Sequence, residues 1–245
     1  MMKKNLRKTV LIADAHVLDG TPAVLDFFAM LDCFSSSNYD VCFLGDVMEL
    51  WFGLERFETP VQLRFLKWCK SEKPRRKITF VEGNHEFFVI RKHLDCFSDS
   101  ATEVLRLPSG ECLVHGDVVQ CNKWKNAIFR MFLKGEWMYW ILLLCPFAPA
   151  IAKKAKQALE FKNRKRVPRF PLDHVKKWCH REFQKGAHRI FMGHFHNEQK
   201  ECDVDKNWWC CLPAWKDAQK VMLYDRISGT TDILYWKKLF EKTDS

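Results

Sequence analysis

Five short motifs of Asp, Asn and His side chains carry the clearest potential for chemistry in this 245-residue chain. In chain order they are D-x-H (Asp14, His16), G-D (Asp46), G-N-H-E (Asn84, His85), H-G-D (His115) and G-H-x-H (His194, His196). Carboxylate, amide and imidazole donors without thiolates suit Mn, Fe, Zn or Mg rather than a cysteine-type structural zinc site. The motifs therefore predict a metal centre of oxygen and nitrogen ligands.

The number of candidate ligands indicates two metal ions. The set is Asp14, His16, Asp46, Asn84, His115, His194 and His196. It is too large for one tetrahedral ion, and Asp46 is the natural carboxylate to bridge two ions. Two metals about 3.5–4 Å apart can hold a hydroxide nucleophile and neutralise phosphate oxygens during displacement at phosphorus. Each motif alone is commonplace on a surface or in a turn, so the prediction depends on all five occurring in order.

Each motif follows a short apolar run with the length and composition of a buried strand. These runs cover residues 10–13, 41–44, 78–81, 112–114 and 190–192. Helical spacing follows Thr21-Pro22 and Thr59-Pro60, and shorter strands are expected around residues 208–210, 221–224 and 233–236. Alternating strands and helices predict an α/β fold, in which polar residues just past the strand ends converge on one site.

Residues 121–185 interrupt this alternation and hold most of the excess charge. The whole chain has 40 Lys and Arg against 30 Asp and Glu, a net charge of +10. The uncharged run 137–152 is followed by residues 153–181, in which eleven basic residues face two acids, giving +9. We predict a core of residues 1–120 and 186–245 and an inserted helical lid, apolar and basic, at 121–185. A solvated helix face is the alternative interpretation of the basic run.

The charge distribution also limits the partners. Outside residues 153–181 the chain is nearly neutral, which argues against a nucleic-acid-binding protein and favours a phosphorylated substrate or an anionic membrane surface. No sequence feature indicates the oligomeric state.

Cysteine usage and hydropathy predict a cytoplasmic protein, with peripheral binding to the inner face of the cytoplasmic membrane as an option. The eleven cysteines contain no C-x-x-C pair, which is typical of a reducing compartment. The apolar run 9–13 is shorter than the roughly 7–15 residues of a signal-peptide core. Pro146 and Pro149 interrupt the run 137–152, which is also shorter than the roughly 20 residues of a membrane-spanning helix.

The motif series spans residues 14–196 and resembles that of the calcineurin-like metallophosphoesterases. The resemblance implies a four-layer α/β/β/α sandwich around two divalent ions. It assigns Asp14, His16 and His196 to one ion, Asn84, His115 and His194 to the other, and Asp46 to both. It also implies catalytic roles for Asn84 and His85, where His85 contacts the scissile phosphate and protonates the leaving oxygen.

A second resemblance is more specific. The stretch Gly45-Asp46-Val47-Met48-Glu49-Leu50-Trp51-Phe52-Gly53 is similar to one in UDP-2,3-diacylglucosamine pyrophosphohydrolases, whose helical lid also lies between the H-G-D and G-H-x-H motifs. This implies cleavage of the pyrophosphate of a diacylated UDP-sugar to UMP and a lipid monophosphate in lipid A biosynthesis. It favours Mn²⁺ as the metal. Basic lid residues are then expected to bind substrate phosphate: Lys154, Lys162, Lys165 and Arg166.

His85 departs from that narrower family, which typically has Arg at this position. An Arg clamps charge, whereas a His donates a proton, and proton donation helps most when the leaving group is a basic alkoxide. The lid also lacks a Ser expected between its basic residues. Two alternatives therefore stay open: a general metallophosphodiesterase or phosphatase acting on a soluble phosphoester, and a catalytically inactive member that binds a membrane or a partner.

Overall fold

The computed structural model describes residues 7–120, 134–147, 154 and 170–241. Its strands are β1 (Thr9–Ile12), β2 (Asp40–Leu44), β3 (Trp51–Phe52), β4 (Ile78–Val81), β5 (Glu86–Phe87), β6 (Asp99–Ala101), β7 (Val104–Arg106), β8 (Glu111–Val114), β9 (Arg189–Met192), β10 (Gln199–Cys202), β11 (Trp208–Cys211), β12 (Lys220–Tyr224) and β13 (Thr231–Tyr235). The α-helices within these residues are α1 (Ala23–Ser35), α2 (Pro60–Glu72), α3 (Val89–His93), α4 (Asp117–Gln120), α5 (Glu136–Leu144), α6 (Leu172–Phe183) and α7 (Trp215–Ala218).

Two sheets hold the strands that end in the five motifs. The first has the order β13-β12-β1-β2-β4-β6, and β1, β2 and β4 run parallel within it. The second has the order β10-β11-β9-β8-β7, with β8 and β9 parallel. Three motifs therefore follow strands of the first sheet and two follow strands of the second, so the site forms only when the two sheets pack together.

The sheets pack face to face and each carries helices on its outer face. Leu11 and Leu44 of the first sheet meet Phe191 and Trp208 of the second in one buried cluster. Residues of alternate position in the first sheet, such as Val10 and Phe43, point the other way and pack against α1 and α2. The outer face of the second sheet packs against Val175, Trp178 and Cys179 of α6. The predicted four-layer α/β/β/α sandwich is thus confirmed.

The expected strands that precede the motifs are all present, and so is each of the later strands. The structure also has strands that the sequence pattern did not predict, including β6 and β10. Both lie at sheet edges and carry polar residues with little apolar alternation, as in Asp99–Ala101 and Gln199–Cys202. A polar edge strand is recognisable only once its neighbour is known.

Helix α5 belongs to the predicted lid and packs beside the small β3–β5 sheet. Tyr139 and Leu142 are buried against Leu54, Phe87 and Phe88. Arg56 fixes the far end of the helix through a 2.9 Å hydrogen bond from its guanidinium to the Leu143 carbonyl. Most of residues 121–185 lie outside the described residues, so the start of the lid stays a prediction. Its predicted end at residue 185 does not agree with the packing of α6, which covers the second sheet and therefore belongs to the core. Within the described ranges, none of the helices has the length and apolar character needed to span a membrane.

Candidate metal centre

The five motifs meet at one end of the sandwich, and Asp46 stands at the centre of the group. Its Oδ2 lies 3.3 Å from Nε2 of His115, 3.8 Å from Nε2 of His16 and 3.9 Å from Nε2 of His85. Its Oδ1 accepts a 2.8 Å hydrogen bond from the His85 backbone N–H. One carboxylate oxygen is therefore held by the backbone while the other faces imidazoles from two sides, as a bridging ligand requires.

The remaining candidate ligands form two groups on either side of Asp46. On one side Nε2 of His196 lies 3.6 Å from Oδ1 of Asp14, and His16 completes a set whose ligand atoms are all within 4.8 Å of one another. On the other side Nε2 of His115 lies 3.2 Å from Nδ1 of His194 and 3.1 Å from Oδ1 of Asn84. The structure thus brings all seven predicted ligands together around Asp46.

The backbone at these positions adopts an unusual conformation. Eight described non-glycine residues have positive φ, and five of them are predicted ligands: Asp14 (52°), His16 (43°), Asp46 (50°), His194 (70°) and His196 (50°). The left-handed region costs an L-residue roughly 1–2 kcal/mol. Such residues cluster at functional sites, where surrounding structure overrides the local preference. The tight turns let consecutive strand-end side chains point into one small space.

Hydrogen bonds fix the outward nitrogens of the imidazole rings. Nδ1 of His115 lies 2.8 Å from the Leu44 carbonyl, and Nδ1 of His85 contacts the Glu49 carbonyl. A carbonyl oxygen can only accept, so each Nδ1 donates and each Nε2 is the nitrogen turned toward Asp46. For His115, this orientation leaves Nε2 as the nitrogen available to a metal ion.

The charges of the site favour a cation at its centre. Burial by itself would raise the pKa of Asp46, but His115 and His85 outweigh burial and hold that pKa well below its usual range. Burial would lower the pKa of His115, yet Asp46 and Asp14 raise it well above its ordinary value. Burial and the neighbouring His115 lower the pKa of His194 to about 4, which keeps this ring neutral. A buried carboxylate pair with a neutral imidazole is the donor set that a divalent ion takes.

Two details show that the residues fit bound metal. Oδ1 of Asp14 is buried and has no hydrogen-bond partner among the described residues, although Oδ2 of the same carboxylate accepts a 2.7 Å bond from the His194 N–H. Nδ1 of His194 lies 3.2 Å from Nε2 of His115, so both nitrogens can reach one cation. A buried carboxylate oxygen without a hydrogen bond is costly unless a cation pairs with it.

Two acidic residues brace this arrangement. Glu86 is fully buried and accepts backbone hydrogen bonds from Asp46, Val47 and Gly83 at 2.7–2.8 Å, which ties the G-D loop to the G-N-H-E loop. Burial and the nearby Asp46 raise the pKa of Glu86 to about 7. The carboxylate of Glu49 lies 3.3 Å from Nδ1 of His16. Both acids therefore orient ligands.

The expected phosphate-binding residues of the lid are not placed at the site by any described contact. Lys154 is exposed, and Lys162, Lys165 and Arg166 lie outside the described residues. Two other residues do reach the site and were missed by the sequence analysis. Lys134 donates from Nζ to the Gly83 carbonyl at 2.6 Å, and Asp217 contacts His196. Neither belongs to a motif, so no local signal could have identified them.

Comparison with known proteins gives relatives of one kind. The chain is 24% identical over 166 residues to UDP-2,3-diacylglucosamine hydrolase of Coxiella burnetii, covering 65% of this chain and 68% of that protein. It is 23% identical over 148 residues to the protein of the same name from Vibrio atlanticus, covering 57% and 59%. No family model matches the chain.

Similar solved structures are more distant. An archaeal phosphodiesterase has a TM-score of 0.44 at 11% identity, covering 93% of this chain and 98% of its own. Vps29 from Entamoeba histolytica has a TM-score of 0.40 at 15% identity, covering 93% and 97%. Scores at this level do not bear on function, so the assignment depends on the motifs, the site and the sequence relatives. These three together indicate a metal-dependent phosphoester hydrolase, similar to the calcineurin-like metallophosphoesterases that the motif series resembles.

Proposed function

We propose that this protein is a dinuclear, Mn²⁺-dependent hydrolase that cleaves the pyrophosphate of a UDP-2,3-diacylglucosamine-like lipid at the cytoplasmic face of the membrane. The products would be UMP and a lipid monophosphate, as in lipid A biosynthesis. The observation that carries the proposal is the surroundings of the segment Gly45–Gly53. This segment resembles a stretch of the UDP-2,3-diacylglucosamine pyrophosphohydrolases, and here it joins the metal centre to an apolar wall.

The metal centre lies close to an apolar wall, which consists of Phe52, Phe87, Phe88 and Tyr139. The Trp51 N–H donates to the His85 carbonyl at 2.8 Å, so the strand after the G-D motif lies directly beside the strand after the G-N-H-E motif. Phe52 stacks on Phe87 with ring centroids 5.0 Å apart. Tyr139 of α5 packs edge-on against Phe88 at 5.3 Å. Phe87, Phe88 and Tyr139 are buried in this wall, whereas Phe52 is half-buried. A substrate with its phosphates at Asp46 could therefore place its acyl chains along the outer edge of the wall.

Different residues of the chain would have different roles in catalysis. Metal ions at the seven ligands would supply a hydroxide nucleophile and neutralise phosphate oxygens. Asp46, held by its backbone partner on one oxygen, fixes the spacing of the two ligand groups. His85 lies at the edge of the centre with Nε2 directed inwards, and Asp46 and Glu49 raise its pKa above the ordinary value despite burial. His85 can therefore hold a proton where the leaving oxygen departs.

The outer surface of α5 supports a membrane location. Trp137, Trp140, Ile141 and Leu144 recur at helical spacing, and each is 44–72% exposed. Such a stripe is typical of helices that lie in a membrane interface. Sedimentation with anionic liposomes should carry the protein down, and weakening by salt would assign the binding to basic residues rather than to this stripe.

The decisive test is turnover of the lipid UDP-sugar beside a simple aryl phosphodiester. We expect purified protein with Mn²⁺ to release UMP from the lipid at a higher kcat/KM than it shows with the aryl ester. A UDP-sugar without acyl chains is the matched control. It should react more slowly, because it has no acyl chains that could bind to the apolar wall. Brisk hydrolysis of the aryl ester with no UMP release would contradict the lipid substrate.

His85 favours a second candidate, a phosphodiesterase acting on a soluble ester with an alkoxide leaving group. Its inward Nε2, its buried position and its hydrogen bond to the Glu49 carbonyl all suit proton donation rather than charge clamping. Such donation matters little for a UMP leaving group, whose oxygen is weakly basic.

Proton donation by His85 predicts a dependence on the leaving group. We expect His85→Ala to lower kcat by about 10²–10⁴-fold for an alkyl phosphodiester, and far less for an aryl ester with an acidic leaving group. His188→Ala, which removes an exposed imidazole that contacts Asn207 rather than a motif residue, is the control and should change neither rate. Equal losses of kcat on both esters would show that His85 does not donate a proton.

A further inference from the structure

Asp217 stands behind one of the candidate ligands. It lies on the short helix α7, which is fastened to the D-x-H loop because the Trp215 N–H donates to the Ala13 carbonyl at 2.9 Å and the Lys216 N–H to the Asp14 carbonyl at 3.2 Å. Oδ2 of Asp217 lies 3.0 Å from Nδ1 of His196. Nε2 of the same ring faces Oδ1 of Asp14 at 3.6 Å. The imidazole is thus held between an outer carboxylate and the metal-facing carboxylate.

This support differs from that of the histidine in the other ligand group. Nδ1 of His115 meets a neutral backbone carbonyl, that of Leu44, whereas His196 meets a full negative charge. A charged acceptor binds an N–H more strongly than a neutral one. The His196 ring also needs a strong acceptor more than the His115 ring does, since the His196 side chain is 33% exposed and that of His115 is fully buried. Packing alone cannot hold the His196 ring in one orientation.

We propose that Asp217 is a positioning residue that orients His196 and strengthens binding of the ion held by Asp14, His16 and His196. The proposal rests on the dinuclear centre put forward as the proposed function. By accepting the Nδ1–H, Asp217 fixes the tautomer with the Nε2 lone pair toward the ion and makes that nitrogen a better donor. Loss of such an outer partner typically costs 10–100-fold in metal affinity. The second ion, at Asn84, His115 and His194, has no contact with Asp217 in the described residues.

The test is metal affinity, measured by competition with a chromophoric chelator for Mn²⁺. The wild type should bind two equivalents. Asp217→Ala should raise one dissociation constant about 10–100-fold and leave the other unchanged. Asp217→Asn keeps an oxygen acceptor but loses the charge, so its effect should be intermediate. Glu198→Gln is the matched control, because Glu198 also lies close to His196 in the sequence but pairs with Lys220 at 3.1 Å. It should bind both ions as the wild type does.

Two variants, each lacking a ligand of one group, identify which ion the Asp217 substitution affects. In a His194→Ala protein, which retains the Asp14 group, adding Asp217→Ala should weaken the remaining ion by the same factor. In a His16→Ala protein, which retains the His115 group, adding Asp217→Ala should have no effect. Circular dichroism and the metal-free Tm of Asp217→Ala should match the wild type, because the side chain is 55% exposed.

Three results would overturn the proposal: unchanged affinity in both Asp217 variants, equal weakening of both ions, or a loss in the His16→Ala background. Failure of the proposed function would give a different result, in which the wild-type protein binds fewer than two ions. The dinuclear centre would then not exist, and neither would the ion that Asp217 is proposed to stabilise.

Discussion

Asp46→Asn is expected to lower kcat/KM for any phosphoester by about 10³-fold or more. The Asp46 side chain faces both ligand groups, with Oδ2 3.3 Å from Nε2 of His115 and 3.8 Å from Nε2 of His16. Replacing the charged oxygen by an amide removes a bridging ligand. Metal stabilisation of the transferring phosphoryl group contributes several kcal/mol, and each 1.36 kcal/mol is a tenfold change in rate.

The same substitution should remove the effect of metal on stability. Saturating Mn²⁺ at 100 times its Kd stabilises a native protein by about 2.7 kcal/mol, which for a chain of this size corresponds to a rise in Tm of about 5–10 °C. We expect that rise for chelator-treated wild type and little of it for Asp46→Asn. Asp32→Asn, which removes an exposed carboxylate 3.8 Å from Arg64, is the control and should behave as wild type. A full Mn²⁺-dependent rise in Asp46→Asn would contradict the bridging role.

Gly83→Ala should impair the site almost as severely as Asp46→Asn does, although the substitution adds only a methyl group. A Cβ at position 83 would stand 2.1 Å from Oδ1 of Asp46 and 2.6 Å from its backbone N. These neighbours are held in place, since Glu86 accepts from both backbone N–H groups and Lys134 donates to the Gly83 carbonyl. Overpacking of this kind costs roughly 1–3 kcal/mol. Displacing a catalytic group by about 1 Å costs about 10²-fold in rate.

Urea unfolding and steady-state kinetics of Gly83→Ala test this prediction together. Gly20→Ala is the control, because a Cβ there meets nothing within 4 Å. With φ at +79°, Gly20→Ala should lose about 1–2 kcal/mol of unfolding free energy and no activity. Wild-type kcat/KM in Gly83→Ala would mean that the two loops are not packed as tightly as the distances imply.

The strands that precede the metal ligands could be predicted from the sequence for a clear physical reason. Buried parallel strands are nearly continuous apolar runs, and the ligands follow them at once, as Asp14 follows β1 and Asp46 follows β2. Edge strands such as β10 were not predictable, since half-exposed polar residues carry no periodic signal. The start of the lid stays a prediction. Of its described basic residues, Lys134 contacts the site through the Gly83 carbonyl, whereas Lys154 has no described contact with it.

The sequence by itself determined the chemistry, because the kinds of donor atoms and their positions at strand ends are local properties of the chain. Only the tertiary structure decided how the donors are used. It showed that β1 and β2 supply ligands from one sheet and β8 and β9 from the other, and that Asp46 presents a single oxygen to both groups. It also placed Asp217 behind His196 and Glu49 behind His16. These contacts join residues 21 and 33 positions apart, and no periodicity in the sequence encodes a distance of that kind.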